Sequence, residues 1–353
     1  MLFRNKKQPL LGLDITTSSV KLIELSQSGK RYRVESYAAE PTPPSSVNEK
    51  AIVDAKAVGE AIRRAVKRSG AKSIDAAVAI SGDAAITKVI QMPSTLSERD
   101  LEGQVEIQAD QYIPFPMEEV SFDWEIIGPN EKDPELLDVL LVATRTENVQ
   151  QRQAAVEAAG LAAKIVDVEA FALENACRLL SHQIPDNGMG QSVAIVDIGA
   201  SSTTFSVLQD LKVIYTRDFG FGGQQLTEEI MRTYGLSMED AGRAKKQGGL
   251  PGNYQPEVLE PFIDDMTQQV SRSLQFYLAS GGGREQPDMI LVCGGCANIA
   301  GVTDVISSKV GIPTEIGDPL GQMKISSRAK SQGIRKDATA LLTACGLALR
   351  SFD

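Results

Sequence analysis

A short stretch that occurs twice constrains this chain more than any other feature. Residues 11–25 read LGLDITTSSVKLIEL, and residues 194–208 read AIVDIGASSTTFSVL. At an offset of 183 residues, Asp14 matches Asp197, Ile15 matches Ile198, Ser18 and Ser19 match Ser201 and Ser202, and Leu25 matches Leu208. Each copy is an apolar run ending in Asp, then small hydroxylated residues, then a second apolar run. That pattern predicts a β-hairpin with a carboxylate at its tip. Two such hairpins in separate halves imply a duplicated domain facing a shared cleft.

The rest of the chain is compatible with that plan. At 353 residues it is long enough for two or more cores, and 42% hydrophobic with 23% charged residues is an ordinary globular balance. A net charge of −10 with no basic block argues against nucleic acid as a partner. No apolar run approaches the roughly 20 residues that span a bilayer. The start, MLFRNKKQPLLGLD, has cations but neither the apolar length nor the cleavage site of a signal peptide. A cytosolic protein is expected.

Strands are expected at 10–14, 20–25 and 32–38, then a PTPPSS loop and a helix from Ala51 to Ser69 closed by Gly70. A strand at 76–80 ends the first part. From about Ile86 a β-α-β-β-α unit is expected, its first helix capped by Ser97 with Asp100 three residues on. The prolines of YIPFP break that helix; this stretch is either a packed loop or partner surface. A strand at 163–168 and a helix at 169–180 return to the first plan. The second half repeats the hairpin, adds a strand at 213–218 and helices at 224–234, 237–247 and 256–280, and a GGGREQPD turn. A buried strand at 289–293 follows, then a helix from Asn298 or Ile299, a strand at 314–316 and a last helix from Asp337 to Arg350. The resulting division is 1–85, 86–162 (the insert), 163–190, 191–225, 226–284 (helical), 285–337 and 338–353 (a helix returning to the first domain).

Small residues after each Asp let backbone N–H groups approach an anion, and the hydroxyls add donors. A carboxylate beside phosphate acts most simply through hydrated Mg²⁺. Lys21, seven residues past Asp14, is placed to return its ammonium to the phosphates. The pair therefore reads as a clamp for a nucleoside polyphosphate. MILVCGGCANIAG supports it: Gly294 and Gly295 permit close approach of a flat ligand. There is no Walker A sequence. Cys293 and Cys296 form a CxxC between strand and helix, also the thioredoxin arrangement. The apolar strand before it favours buried thiols, and zinc would need more ligands than this pair, with only Cys177, Cys345 and His182 left to supply them. His182 reads as a polar residue at a helix C-terminus.

Taken in order, these motifs resemble the actin-like ATPase superfamily. LGLDITTSSVKL and AIVDIGASSTTF look like its two phosphate hairpins, ILVCGGCANIAG like its adenosine motif, and DVEAFALENAC and ATALLTACGLAL like its connecting helices. Small residues Ala172, Ala176 and Gly346 would let those helices cross closely. The insert resembles that of FtsA, and DVEAFALENA, YIPFP and ACGLALRSFD are most similar to the PilM family of type IV pilus assembly.

The resemblance implies an α/β actin-like fold of two duplicated domains around a nucleotide cleft, with an FtsA-type α+β insert. It implies ATP and Mg²⁺ as cofactors, Asp14 and Asp197 orienting the metal through water. Thr17, Ser18, Ser19 and Lys21 would contact phosphates from the first hairpin. Gly199, Ser201, Ser202 and Thr203 would form the backbone cradle of the second. Gly294, Gly295 and Asn298 would face the nucleoside, and Glu169 would position attacking water. Thr204 stands where vigorous hydrolysers carry Asp or His, and Gly242 precedes Lys245 where a ribose-holding acid is usual. Lys245 remains the candidate nucleoside contact, its acid missing or supplied by Glu239. These departures imply holding ATP without fast turnover. The implied role is a cytoplasmic scaffold, peripheral to the inner membrane through the N-terminal cytoplasmic peptide of PilN and linked to the pilus motor and inner-membrane complex. FtsA ends in a membrane-binding helix, whereas this sequence stops three residues after Arg350. The alternatives are a small-metabolite kinase and a filament-forming ATPase.

Overall fold

The first hairpin forms where the repeat places it. Strands β1 (Leu11–Ile15), β2 (Ser19–Ser28) and β3 (Arg31–Pro41) make an antiparallel meander. Its register sets Asp14 directly across from Lys21. The structure, a computed structural model, describes residues 9–281, 285–331 and 333–353. The expectations for the N-terminal cations at 1–8 and for residues 282–284 of the glycine turn lie outside the described residues.

A two-residue hairpin follows, β4 (Val47–Asn48) and β5 (Ala51–Ile52). Helix α1 (Ala55–Ser69) therefore starts later than its apolar spacing suggests. Asp54 caps it by accepting a hydrogen bond from the Ala57 N–H at 2.9 Å, and Gly70 ends it in the left-handed region at φ 63°. Val58, Ala61, Ile62 and Ala65 form its buried face. β6 (Asp75–Ile80) runs parallel to β1.

The insert is a three-stranded antiparallel sheet of β7 (Ala85–Pro93), β8 (Val120–Pro129) and β9 (Leu136–Arg145), in order β7-β9-β8, covered by α2 (Glu98–Tyr112). The Ser97 hydroxyl accepts from the Asp100 N–H at 3.3 Å and donates to the Asp100 carboxylate at 2.6 Å, so the cap forms but the carboxylate meets the hydroxyl where a capping box would have it meet the Ser97 N–H. Ile90, Met92, Leu101, Val105, Val139 and Leu141 give the insert a core of its own. In YIPFP, Ile113 is buried and Phe115 packs on that core under the Arg145 guanidinium, as a packed loop.

Helix α3 (Thr146–Ala158), expected with the insert, buries Ala155 and Val156 in the first domain's core beside Val58 and Ile62. Its small residues allow this: a Cβ on Gly59 would lie 2.5 Å from the Ala158 methyl. β10 (Ala162–Val168) joins β6 in parallel, and α4 (Glu169–Leu180) follows.

The second half begins with β11 (Ser192–Ile198), β12 (Thr203–Gln209) and β13 (Lys212–Phe219). Then come α5 (Gly223–Tyr234), α6 (Met238–Gln247), a π turn at Gln255–Leu259, α7 (Glu260–Ala279), β14 (Met289–Cys293), α8 (Val302–Val310) and β15 (Thr314–Ile316). The chain returns through β16 (Lys324–Ile325), α9 (Ser327–Ser331), α10 (Ile334–Asp337) and α11 (Leu342–Leu349). The sheets run β10-β6-β1-β2-β3-β16 and β13-β12-β11-β14-β15. Read from the meander, both have the same plan: three antiparallel strands, then two more parallel to the first. The duplication seen in 15 residues thus extends to whole sheets.

Two helices depart from expectation. After Gly294-Gly295 the chain makes a 3-10 turn, and α8 begins only past Gly301 at φ 78°. The last helix is broken at Ala338–Ala340 because Thr339 turns out to bond Gly294, its hydroxyl donating to the Gly294 carbonyl at 2.9 Å. Where α4 and α11 cross, the expected small residues meet: a Cβ on Gly346 would sit 1.7 Å from the Ala172 carbonyl oxygen.

Candidate functional site

The two hairpin tips face each other across the halves. Thr17 Oγ1 and Ser201 Oγ are 2.8 Å apart, joining residues 184 positions distant. The first turn is held by the Thr16 hydroxyl, which donates to the Ser19 carbonyl, and by the Thr16 N–H on the same oxygen. The second is closed by the Gly199 N–H on the Ser202 carbonyl. Gly223 and Gln224 N–H groups at the start of α5 bond the Gly199 and Ala200 carbonyls, so the second tip is fixed against that helix.

Asp14 and Asp197 stand at matched positions but in different company. Asp14 is buried and accepts a hydrogen bond from Lys21 Nζ at 2.7 Å. Burial works against the Lys21 charge, yet Asp14 first, and Asp197 beyond it, hold that pKa above the usual lysine value. Among the described residues no group makes a hydrogen bond or ion pair to the Asp197 carboxylate. Burial pushes its carboxyl up to about 6, with Asp14 adding to the rise and Lys21 opposing it. Gly294, at φ 85°, is required beside it: a Cβ there would lie 2.6 Å from Asp197 Oδ1 and 2.3 Å from the Ile198 carbonyl oxygen.

Sequence reasoning missed a third element. The turn between β4 and β5 is Glu49-Lys50, with φ of 44° and 66°. Such turns favour Asn-Gly, and each non-glycine left-handed residue costs about 1 kcal/mol or more. The turn sends Lys50 Nζ between Glu169 Oε2 at 2.7 Å and Asp218 Oδ2 at 2.6 Å. Buried Arg152 secures its base, donating to the Lys50 carbonyl at 2.7 Å and the Ala79 carbonyl at 2.6 Å. Asp218 lies across from Thr204 and accepts its hydroxyl at 2.5 Å. A carboxylate thus stands one strand over from the position read as lacking one. Nothing local marks Lys50 or Asp218; only the approach of the two halves makes them a pair.

A cavity of about 180 Å³ between the halves is lined by Asp83, Glu169, Asp197, Thr204 and Asp218. With Asp14, five carboxylates share the region with the ammonium groups of Lys21 and Lys50, an excess of negative charge that suits a divalent cation. Among the described residues no three acidic, His or Cys side chains converge as direct metal ligands. The donor set therefore fits Mg²⁺ held mostly by water and phosphate, with the unpaired Asp197 as its natural outer partner.

The other expected residues divide. Ser18 Oγ lies 3.4 Å from Thr16 Oγ1 at the first tip, and the Ser19 N–H donates to the Thr16 hydroxyl at 3.2 Å. Thr203 points inward and donates to the Phe221 carbonyl, leaving only its backbone for a cradle. Lys245 Nζ donates to the Gly223 carbonyl and Thr227 hydroxyl, both at 2.6 Å, and burial lowers its pKa. Glu239 instead pairs with Arg243, so it does not supply the missing acid beside Lys245. Asn298 donates to the Thr339 hydroxyl, bracing the Gly294 turn, while Gly295 has open space where a Cβ would stand. Cys293 and Cys296 are free and buried in separate cores, and burial pushes the Cys296 thiol up to about 11. Such thiols suit packing, not redox exchange. His182 caps α4, its Nδ1 2.9 Å from the Leu179 carbonyl oxygen.

The Asp197 shift gives a signed pH dependence. Its folded pKa of about 6 exceeds the ordinary carboxylate value of about 4. The stability it contributes is present below about pH 4 and is lost as pH rises through about 6. A cation held through Asp197 would need the ionised carboxylate, so its binding would run oppositely. Magnesium-dependent nucleotide affinity is expected to be flat above pH 7 and to fall up to about tenfold per pH unit below 6, as calorimetric titration would measure. Asp197→Asn should flatten that profile.

Residues 12–352 match the family described as type IV pilus assembly protein PilM. The chain belongs to the PilM family. Among solved structures, the PilM–PilN type IV pilus biogenesis complex is similar at 26% identity, with a TM-score of 0.79, covering 98% of this chain and 99% of that one. The cell division protein FtsA of Agrobacterium fabrum is 27% identical over 187 residues, 46% of this chain and 41% of its own length. FtsA of Bacillus subtilis is 26% identical over 286 residues, 74% of this chain and 62% of its own. The chain thus spans between two-fifths and three-fifths of the curated relatives it matches. The fold that the resemblance implies, actin-like with an FtsA-type insert, is the fold of this chain. Among the described residues no helix is long and apolar enough to cross a membrane.

Proposed function

We propose that this chain is an ATP-binding scaffold of type IV pilus assembly that receives the N-terminal cytoplasmic peptide of PilN. The observation that carries the reading is the near-complete correspondence with the PilM of a PilM–PilN complex. In this reading the protein lies on the cytoplasmic side, peripheral to the inner membrane through PilN, and links that complex to the pilus motor. Asp14 and Asp197 orient Mg²⁺ through its waters. Thr17, Ser18, Ser19 and Lys21 bind phosphates with the backbone of Gly199, Ser201, Ser202 and Thr203. Gly294, Gly295, Asn298 and Lys245 serve the nucleoside side. Glu169 positions water for at most slow hydrolysis, since its carboxylate is already paired with Lys50.

The geometry supports this through the touching hairpin tips, the unpaired Asp197 and the glycine it requires at 294. The test is fluorescence anisotropy with a synthetic peptide of the PilN cytoplasmic N-terminus, with and without Mg²⁺-ATP. Saturable micromolar binding that depends on nucleotide is expected. Absence of binding in both states would sink the scaffold reading.

A further inference from the structure

Lys50 reaches from the β4–β5 turn of the first half to Glu169 and Asp218 beside the cavity. Lys50 belongs to the first half, whereas Thr204 and Asp218 lie in the second sheet and Glu169 opens α4, whose buried face packs on that sheet. One ammonium therefore ties the two domains together through 2.7 Å and 2.6 Å ion pairs, with Thr204 Oγ1 at 3.4 Å. Three features mark this as a held arrangement instead of a chance surface pair. The side chains are well covered, with 18%, 22% and 11% exposure for Lys50, Glu169 and Asp218, so solvent screens them weakly. The backbone that delivers Lys50 is a strained Glu49-Lys50 turn, maintained by Arg152 from α3. The direct polar contact between the two phosphate hairpins, Thr17 to Ser201, lies at the exposed tips and is uncharged.

We propose that Lys50 is a positioning residue, an interdomain clasp whose pairing with Glu169 and Asp218 holds the cleft closed and sets how long a nucleotide is retained. This rests on the nucleotide reading above and names the group that controls it. Because the charges are buried, removing one partner acts mainly on dissociation. The strained turn then has a purpose: it aims Lys50 across the cleft from outside the sheet, so its release leaves both phosphate hairpins intact. The surrounding charges are Asp83, Asp197 and Asp14 on the acidic side and Lys21 on the basic side. Lys50 neutralises the carboxylates that a closing cleft brings together.

The test is a double-mutant cycle across the cleft, read by stopped-flow release of a fluorescent ATP analogue from the full chain. Lys50→Met and Asp218→Asn are each expected to speed release by about tenfold, and the double variant no more than either alone. Lys50→Arg keeps the charge and should recover part of the retention, which a purely structural role for the side-chain stem would not predict. A second arm needs no nucleotide. The Thr17→Cys and Ser201→Cys pair, at positions whose hydroxyls are 2.8 Å apart, should form a disulfide under mild oxidant, and more slowly when Lys50→Met is added. Wild-type release rates in Lys50→Met, or multiplicative effects in the double variant, overturn the clasp. Should the wild type bind no nucleotide, the ATP reading fails instead, and the disulfide arm alone decides the clasp: slower trapping in Lys50→Met upholds it, unchanged trapping removes it.

Discussion

Gly346→Ala is expected to destabilise the chain by about 3 kcal/mol or more, the largest effect of any single methyl here. The new Cβ would fall 1.7 Å from the Ala172 carbonyl oxygen. That atom is backbone of α4, so no side chain can swing aside; the two helices must separate. They cannot separate cheaply, because α11 is buried along nearly its whole length and packs on β1 as well, where Gly12 comes close to the Ala344 carbonyl. Urea denaturation would show a lower midpoint. Gly242→Ala is the control, since a Cβ there meets nothing within 4 Å on a helix. It should be neutral or stabilising by about 0.5–1 kcal/mol through lower chain entropy in the unfolded state. Equal losses at both positions would remove the crossing-helix argument.

Asp14→Ala and Asp197→Ala are both expected to lower Mg²⁺-dependent ATP affinity by about 100-fold, or nearly 3 kcal/mol, in calorimetric titration. Their effects on stability should separate. Asp197 is a desolvated carboxylate whose pKa is raised, so removing it relieves the folded state near neutral pH. Asp14 is the partner of Lys21, and its loss leaves a buried ammonium with no adjacent anion. Asp197→Ala should therefore bind poorly yet melt no lower than wild type, whereas Asp14→Ala should bind poorly and melt lower. Full affinity in both variants would end the clamp interpretation. Equal melting losses would contradict the assignment of Lys21 to Asp14.

The duplicated hairpins were legible because their information is local. Strand alternation, turn hydroxyls and the tip Asp sit within 15 consecutive residues, and the cross-strand place of Lys21 follows from hairpin register alone. The caps at Ser97 and Gly70 and the small residues of α4 and α11 were equally local. What sequence spacing could not supply was partnership between distant segments. Whether α3 packs on the insert or on α1 depends on which face finds the closer neighbour, and Gly59 decides it. The last helix looked continuous because helical periodicity carries no sign that Thr339 will bond Gly294, 45 residues away. Thr203 was read for its backbone, and that its hydroxyl would be taken by the Phe221 carbonyl was not legible either.

By itself, then, the sequence determined that there are two tips, each with an Asp among small hydroxylated residues, and that they belong to duplicated sheets. Those properties are fixed by backbone geometry over a few residues. Only the tertiary structure decided how the two Asp residues differ and what spans the cleft between them. Asp14 is neutralised by its own hairpin, Asp197 is left unpaired, and Lys50 joins Glu169 to Asp218. The physical reason is that a charge's environment comes from whatever packs around it, and here those groups lie 119 and 168 residues away along the chain.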